Sequence, residues 1–168
     1  MALPVSVAEF DAAPVADAAA ELLACCASKR WIAAVVAARP YRDLATLAAR
    51  SDRTITGLAW PDVEEALAAH PRIGERVGGN GREATWSREE QSGTRLADVE
   101  TDAALREGNL AYEQRFGHVF LICATGRTAS EMLDALRSRL INPVEVERDV
   151  VRAELAKIVR LRLTKAFA

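Results

Sequence analysis

Alanine, leucine, arginine and glutamate dominate this chain, and alternating runs of β-branched residues bounded by turn signals are nearly absent. Small and straight-chain side chains lose little freedom in a helix, whereas strands draw on β-branched and aromatic residues. The pattern therefore predicts an all-α fold, a single-domain helical bundle of roughly seven to nine helices. With 168 residues, 50% of them hydrophobic, the chain can bury one sizeable core. No internal repeat, low-complexity segment or linker divides it, so residues 1–168 read as one domain.

Start and stop signals place the helices. Ser6 and Glu9 form the pattern of a capping box, and a second helix is expected from Pro14 to about Ala27. A third runs from Arg30 to Ala38, ended by Pro40, and a fourth from Tyr41 to Arg50. Pro61 and Asp62 open the next, which carries Val63, Leu67 and then His70 on one inward face. The glycines from Gly74 to Gly81 make 74–85 a loop. A long helical pattern covers Ser87 to Thr125, with a permitted break at Ser92-Gly93, and stacks Tyr112, Phe116 and Phe120 at four-residue spacing. Helices over Ala129–Leu140 and Val144–Lys165 follow, the first preceded by Gly126.

The charge balance, 22 basic against 24 acidic residues, supplies no electrostatic footprint for nucleic acid or an anionic membrane. A small, individually recognised partner fits better. The three cysteines form no CxxC pair and no cluster with histidine, which argues against a structural zinc site and a disulfide framework and favours a reducing, cytoplasmic setting. No apolar run approaches the roughly 20 residues that span a bilayer. Met1–Phe10 lacks the features of an export signal, and Lys165–Ala168 is not a peroxisomal address.

Three places bend local rules. His70, one of two histidines, stands at a helix end beside Pro71 and Arg72. An imidazole titrates near neutral pH and could serve there as acid or base, yet His-Pro is also an ordinary helix stop. Arg162 continues the apolar row Val151, Leu155, Ile158 of the last helix. A buried guanidinium needs an anionic or carbonyl partner, whereas a snorkelling one keeps its head in water. Ser87 and Glu90 have capping-box spacing, and the alternative gives Glu90 and Gln91 to a pocket with His70. The glycine loop is not a phosphate cradle, because no Gly-Lys-Ser/Thr follows it. His118 and Cys123 lie in apolar surroundings and read as structural.

Taken together, these segments resemble the family of 2-oxo-4-hydroxy-4-carboxy-5-ureidoimidazoline (OHCU) decarboxylases, which act late in the oxidation of urate to allantoin. His70-Pro71-Arg72-Ile73-Gly74 is similar to the family signature; Trp86-Ser87 with Glu90-Gln91 follows at family-like distance. Asn109, Tyr112 and Phe116–Ile122 resemble the family's central helix, and Arg139-Leu140, Asn142, Glu147 and Leu161-Arg162-Leu163 complete a collinear pattern over about residues 5–165. The Gly78–Arg82 stretch is more glycine-rich than the family pattern.

The resemblance implies an all-helical homodimer that decarboxylates a small-molecule substrate to (S)-allantoin without metal or organic cofactor. It implies His70 and Glu90 as catalytic residues, and Pro71, Ser87, Gln91, Arg162 and the segment Phe120, Leu121, Ile122 as substrate-binding. The alternative is a non-catalytic helical protein-interaction module. A cofactor-free enzyme acting on another ring of the same pathway is a further rival.

Overall fold

Ser6 opens the first helix as its sequence predicts. Its hydroxyl accepts the N–H of Glu9, and its own N–H donates to the Glu9 carboxylate at 2.8 Å. The computed structural model describes residues 4–75 and 77–167, with the backbone alone at 95 and 96; residues 1–3 and 168, read above for targeting signals, lie outside the described residues. Among the described residues there are nine α-helices, one 3-10 turn and no strand.

The helices are α1 (Val7–Ala12), α2 (Val15–Leu23), α3 (Lys29–Ala37), α4 (Leu44–Thr56), α5 (Trp60–Leu67), α6 (Arg82–Glu90), α7 (Val99–Phe116), α8 (Ala129–Arg139) and α9 (Val144–Ala166). The 3-10 turn, Ser92–Leu96, joins α6 to α7. The fold forms two compact units, one made of the residues up to Ala66 together with those from Leu155 onward, the other of Leu67–Glu154.

In the first unit, α2 packs on α3 and α3 on α4. Trp31 is fully buried, and its indole N–H donates to Ser51 Oγ at 3.1 Å, so the ring brings no unsatisfied donor into the core. Phe10 meets Phe167 edge-on with ring centroids 5.0 Å apart. Leu155, Ile158, Val159 and Leu163 of α9 are buried, and Arg162 is buried with them at 2% exposure. That burial excludes the snorkelling alternative for Arg162.

In the second unit, α7 packs on α8 around Leu105, Tyr112, Met132, Leu133 and Leu136. Ile73 joins this cluster from the segment after α5, and Phe120, Ile122 and Ala124 join it from the segment after α7.

Several boundaries differ from expectation. α2 stops at Leu23, because the N–H groups of Cys25 and Cys26 both turn back to the carbonyl of Leu22, and Ser28 then caps α3. α4 begins later, where the Asp43 carboxylate accepts from Thr46, and runs on to Thr56. α5 ends before His70, whose N–H bonds to the Leu67 carbonyl across a turn, so the helical register does not set the facing of His70. α6 begins at Arg82, with the Arg82 guanidinium over the Trp86 ring one helical turn later at 5.2 Å. Ser87 therefore lies inside α6, and the Ser87–Glu90 capping box does not form.

The expected helix to Thr125 ends instead at Phe116. Gly117 takes a left-handed conformation, φ 79°, and donates its N–H to the Glu113 carbonyl. Beyond it, Phe120, Leu121 and Ile122 are all buried, a demand that one face of a surface helix does not meet. Tyr112 and Phe120 still touch, with centroids 5.2 Å apart, but across this chain reversal rather than along one helix.

Candidate active site

His70, Pro71 and Ser87 line one cavity of about 350 Å³. Ala68 and Ala69 from the turn after α5, Val77 and Gly78 from the glycine-rich segment, and Glu83 and Ala84 from α6 complete its wall. His70 and Pro71 are half-buried, as a group that must reach both a ligand and the protein would be, whereas Ser87 is buried.

Helical geometry explains the α6 side. Residues 83, 87 and 90 follow one another at intervals of four and three, so Glu83, Ser87 and Glu90 share a face. Glu83 and Ser87 reach the cavity; Glu90, half-buried one turn further on, is not among its lining residues. Glu83 has no place in the sequence reading. Its only signal is this spacing, which becomes visible once α6 is known to start at Arg82 rather than Ser87.

The backbone after His70 is held from two elements. The Gln91 side-chain oxygen accepts the Gly74 N–H at 3.1 Å, and its amide nitrogen donates to the Arg72 carbonyl at 3.4 Å. Asn109 Nδ2 of α7 donates to the Ile73 carbonyl at 2.9 Å. Gly74 has φ 87°, a left-handed conformation in which a side chain would be strained. The Arg72 side chain grips Glu113, one turn beyond Asn109, with both ends of the fork: Nε to Oε1 and Nη2 to Oε2 at 2.8 Å. This pairing holds the Glu113 carboxyl below its ordinary value, chiefly through the hydrogen bonds from Arg72, and raises the Arg72 guanidinium further.

The segment Phe120–Ile122 is held in a comparable way. Arg139 of α8 donates from Nη1 to the Leu121 carbonyl at 2.7 Å and lies over the Phe120 ring, 4.6 Å from its centroid. Glu154 of α9 accepts the Cys123 N–H at 2.8 Å. Arg139 is in turn paired with Glu147, which also accepts from Tyr112 and Asn142. Burial, together with the bond to the Glu147 carboxylate, raises the Tyr112 phenol above its usual range. Phe120, Leu121 and Ile122 are not among the residues lining the His70 cavity.

Arg162 belongs to the other unit, where it donates weakly from Nη1 to the Ala24 carbonyl at 3.4 Å and acts electrostatically on Cys26. Burial pushes the Cys26 thiol up to about 11, which makes it a poor nucleophile. His118 is half-buried with its ring edge-on to Tyr112, as expected of a boundary histidine. Among the described residues, no three His, Cys, Asp or Glu side chains form a group that could hold a metal, and no helix is long and apolar enough to cross a membrane.

The family model described as OHCU decarboxylase matches residues 11–164. The chain is 34% identical over 148 residues to the uric acid degradation bifunctional protein TTL of Arabidopsis thaliana, covering 86% of this chain and 45% of the plant protein, so it spans less than half of that relative. It is 34% identical over 133 residues to the 2-oxo-4-hydroxy-4-carboxy-5-ureidoimidazoline decarboxylase of Amia calva, covering 78% of this chain and 76% of the other. The crystal structure of an OHCU decarboxylase in the presence of (S)-allantoin has the same fold, with a TM-score of 0.74 at 31% identity, covering 88% of this chain and 96% of that one.

Proposed function

We propose that this chain, which belongs to the OHCU decarboxylase family, is a carboxy-lyase that converts 2-oxo-4-hydroxy-4-carboxy-5-ureidoimidazoline to (S)-allantoin in urate degradation. The observation that carries this reading is the cavity in which the signature pair His70-Pro71 meets Ser87.

The substrate carries a hydroxyl and a carboxylate on one ring carbon, beside a conjugated C=N. When the bond to the carboxylate breaks, its electron pair passes into that unsaturation and CO2 leaves. The ring nitrogen that receives the pair takes up one proton from solvent, the hydroxyl gives up its own as a carbonyl forms, and the ureido-bearing carbon gains a proton on one face. The ring supplies its own electron sink, so the protein has to bind, orient and move protons, and this chemistry calls for no organic cofactor or metal. His70 takes the acid/base role at the hydroxyl with Glu90 as its acidic partner. Pro71, Ser87, Gln91, Phe120, Leu121, Ile122 and the Arg162 guanidinium hold the substrate. A proton delivered from one wall of a chiral pocket yields a single enantiomer.

The whole chain acts as one catalytic domain, as a homodimer and in the cytoplasm. The cytoplasmic reading is supported by the cysteines, none of which forms a disulfide.

The test generates the unstable intermediate from urate, adds the protein, and follows both the decay of its absorbance and the chirality of the product. Accelerated decay with (S)-allantoin accumulating supports the proposal. Decay at the uncatalysed rate to racemic product refutes it and leaves the helical interaction module in its place.

A further inference from the structure

We infer that Asn109 and Glu113, acting with Arg72, are positioning residues that aim the His70 turn, a role that rests on the proposed acid/base function of His70. The turn leaves α5 at Leu67, where the His70 N–H bonds back to the Leu67 carbonyl at 2.9 Å, and further on the Glu75 N–H closes on the Arg72 carbonyl at 3.2 Å. Its direction is set from α7. Asn109 and Glu113 stand one helical turn apart, so their side chains point the same way; one takes the backbone of Ile73 and the other the side chain of Arg72. Gln91 adds the third contact, on Arg72 and Gly74. Three consecutive residues immediately beyond His70-Pro71 are thereby held by three side chains, those of Asn109, Glu113 and Gln91.

Two observations point to aim rather than to stability alone. The Arg72–Glu113 pair is partly exposed, with 40% and 22% of the side chains open to solvent, a setting in which ion pairs contribute little to folding. A two-pronged guanidinium–carboxylate fork nevertheless fixes direction as well as distance. Asn109, for its part, is buried at 3% exposure, and its Oδ1 has no hydrogen-bond partner among the described residues. A leucine at that position would avoid this buried polar oxygen. What the asparagine adds is the bond to the Ile73 carbonyl.

A catalytic group displaced by about 1 Å can lose on the order of 100-fold in rate. Glu113→Gln, Arg72→Gln and Arg72→Lys are therefore each expected to lower kcat by about 10- to 100-fold while KM changes by less than about threefold. Arg72→Lys keeps the charge but not the fork and should fall with Arg72→Gln. The measurements are kcat and KM on the enzymatically generated intermediate, thermal midpoints by circular dichroism, and His70→Ala in parallel. Because Arg72 is partly exposed, its substitutions leave a folded protein, and Arg72→Lys decides the matter should the Glu113 variant fail to fold.

A kcat within about twofold of wild type in a folded Arg72→Lys variant, with His70→Ala inactive, overturns the positioning role and leaves the proposed function intact. Wild-type protein that does not accelerate decay, or His70→Ala at full activity, instead removes the reading on which the inference rests.

Discussion

Arg139 and Glu147 form an ion pair inside the second unit, with Arg139 Nη2 2.6 Å from a carboxylate oxygen whose side chain is 0% exposed. Glu147 also accepts from Tyr112 Oη and from Asn142 Nδ2, while Arg139 carries on to the Leu121 carbonyl. The pair thus ties α7, α8 and α9 to the segment proposed to face the substrate. A charge is stable in such a place because both carboxylate oxygens and all three guanidinium nitrogens have a partner.

Removing one member strands the other. Arg139→Ala is expected to destabilise the fold by about 3–5 kcal/mol, because the Glu147 carboxylate is left buried without its counter-charge. Urea denaturation measures this directly, and the double variant Arg139→Met/Glu147→Leu should recover a large part of the loss.

His70→Ala should leave the fold intact, since His70 is half-buried and outside the hydrophobic cluster of the second unit, yet lower turnover by about 100- to 10,000-fold. Glu90→Gln should follow in the same direction by a smaller factor, because its proposed role is exerted on His70 and not on the substrate. Steady-state rates with circular dichroism of the same samples check both.

Arg162→Lys keeps a positive charge and removes the planar fork. With a buried guanidinium proposed to hold the substrate, the loss is expected in KM, by about tenfold, the equivalent of about one charge-assisted hydrogen bond. An unchanged KM would count against that role.

The Arg72–Glu113 pair predicts a pH dependence. Glu113 titrates below its ordinary value of 4.5 in the folded chain, so it binds a proton more readily when unfolded. Its contribution is complete above 4.5 and is lost as pH falls through the lowered folded value. Thermal midpoints of wild type and Glu113→Gln should accordingly differ most near neutral pH and converge in acid.

Gly93 packs against the backbone of Arg127, and a Cβ there would overlap the Arg127 carbonyl oxygen. Backbone yields less readily than a side-chain tip. Gly93→Ala is expected to cost about 1–3 kcal/mol or more, readable as a lowered urea midpoint.

The all-helical class was legible because helix propensity and the scarcity of β-branched alternation agree along the whole chain. Caps were legible where they depend on neighbours in sequence, as at Ser6 with Glu9. At Ser87 the same local rule left a cap and a pocket position open, and it placed the helix start five residues late, since it could not weigh the Arg82–Trp86 contact inside the first turns of α6. The end of α7 was missed for a related reason: Phe116 to Ile122 is apolar enough to extend a helix, and only the burial of Phe120, Leu121 and Ile122 in succession makes a non-helical path the better one.

By itself, the sequence determined the helical class and the local setting of a few candidates, His70 after one helix and Ser87 with Glu90 on another, because residue type and short-range spacing decide both; the wider set of site residues came with the family resemblance. Tertiary structure alone decided their partners. Arg72 finds Glu113 41 positions away, and Asn109 finds the Ile73 carbonyl 36 positions away. Such pairings depend on where α7 lies against the turn after α5, and packing sets that placement, not any periodicity along the chain.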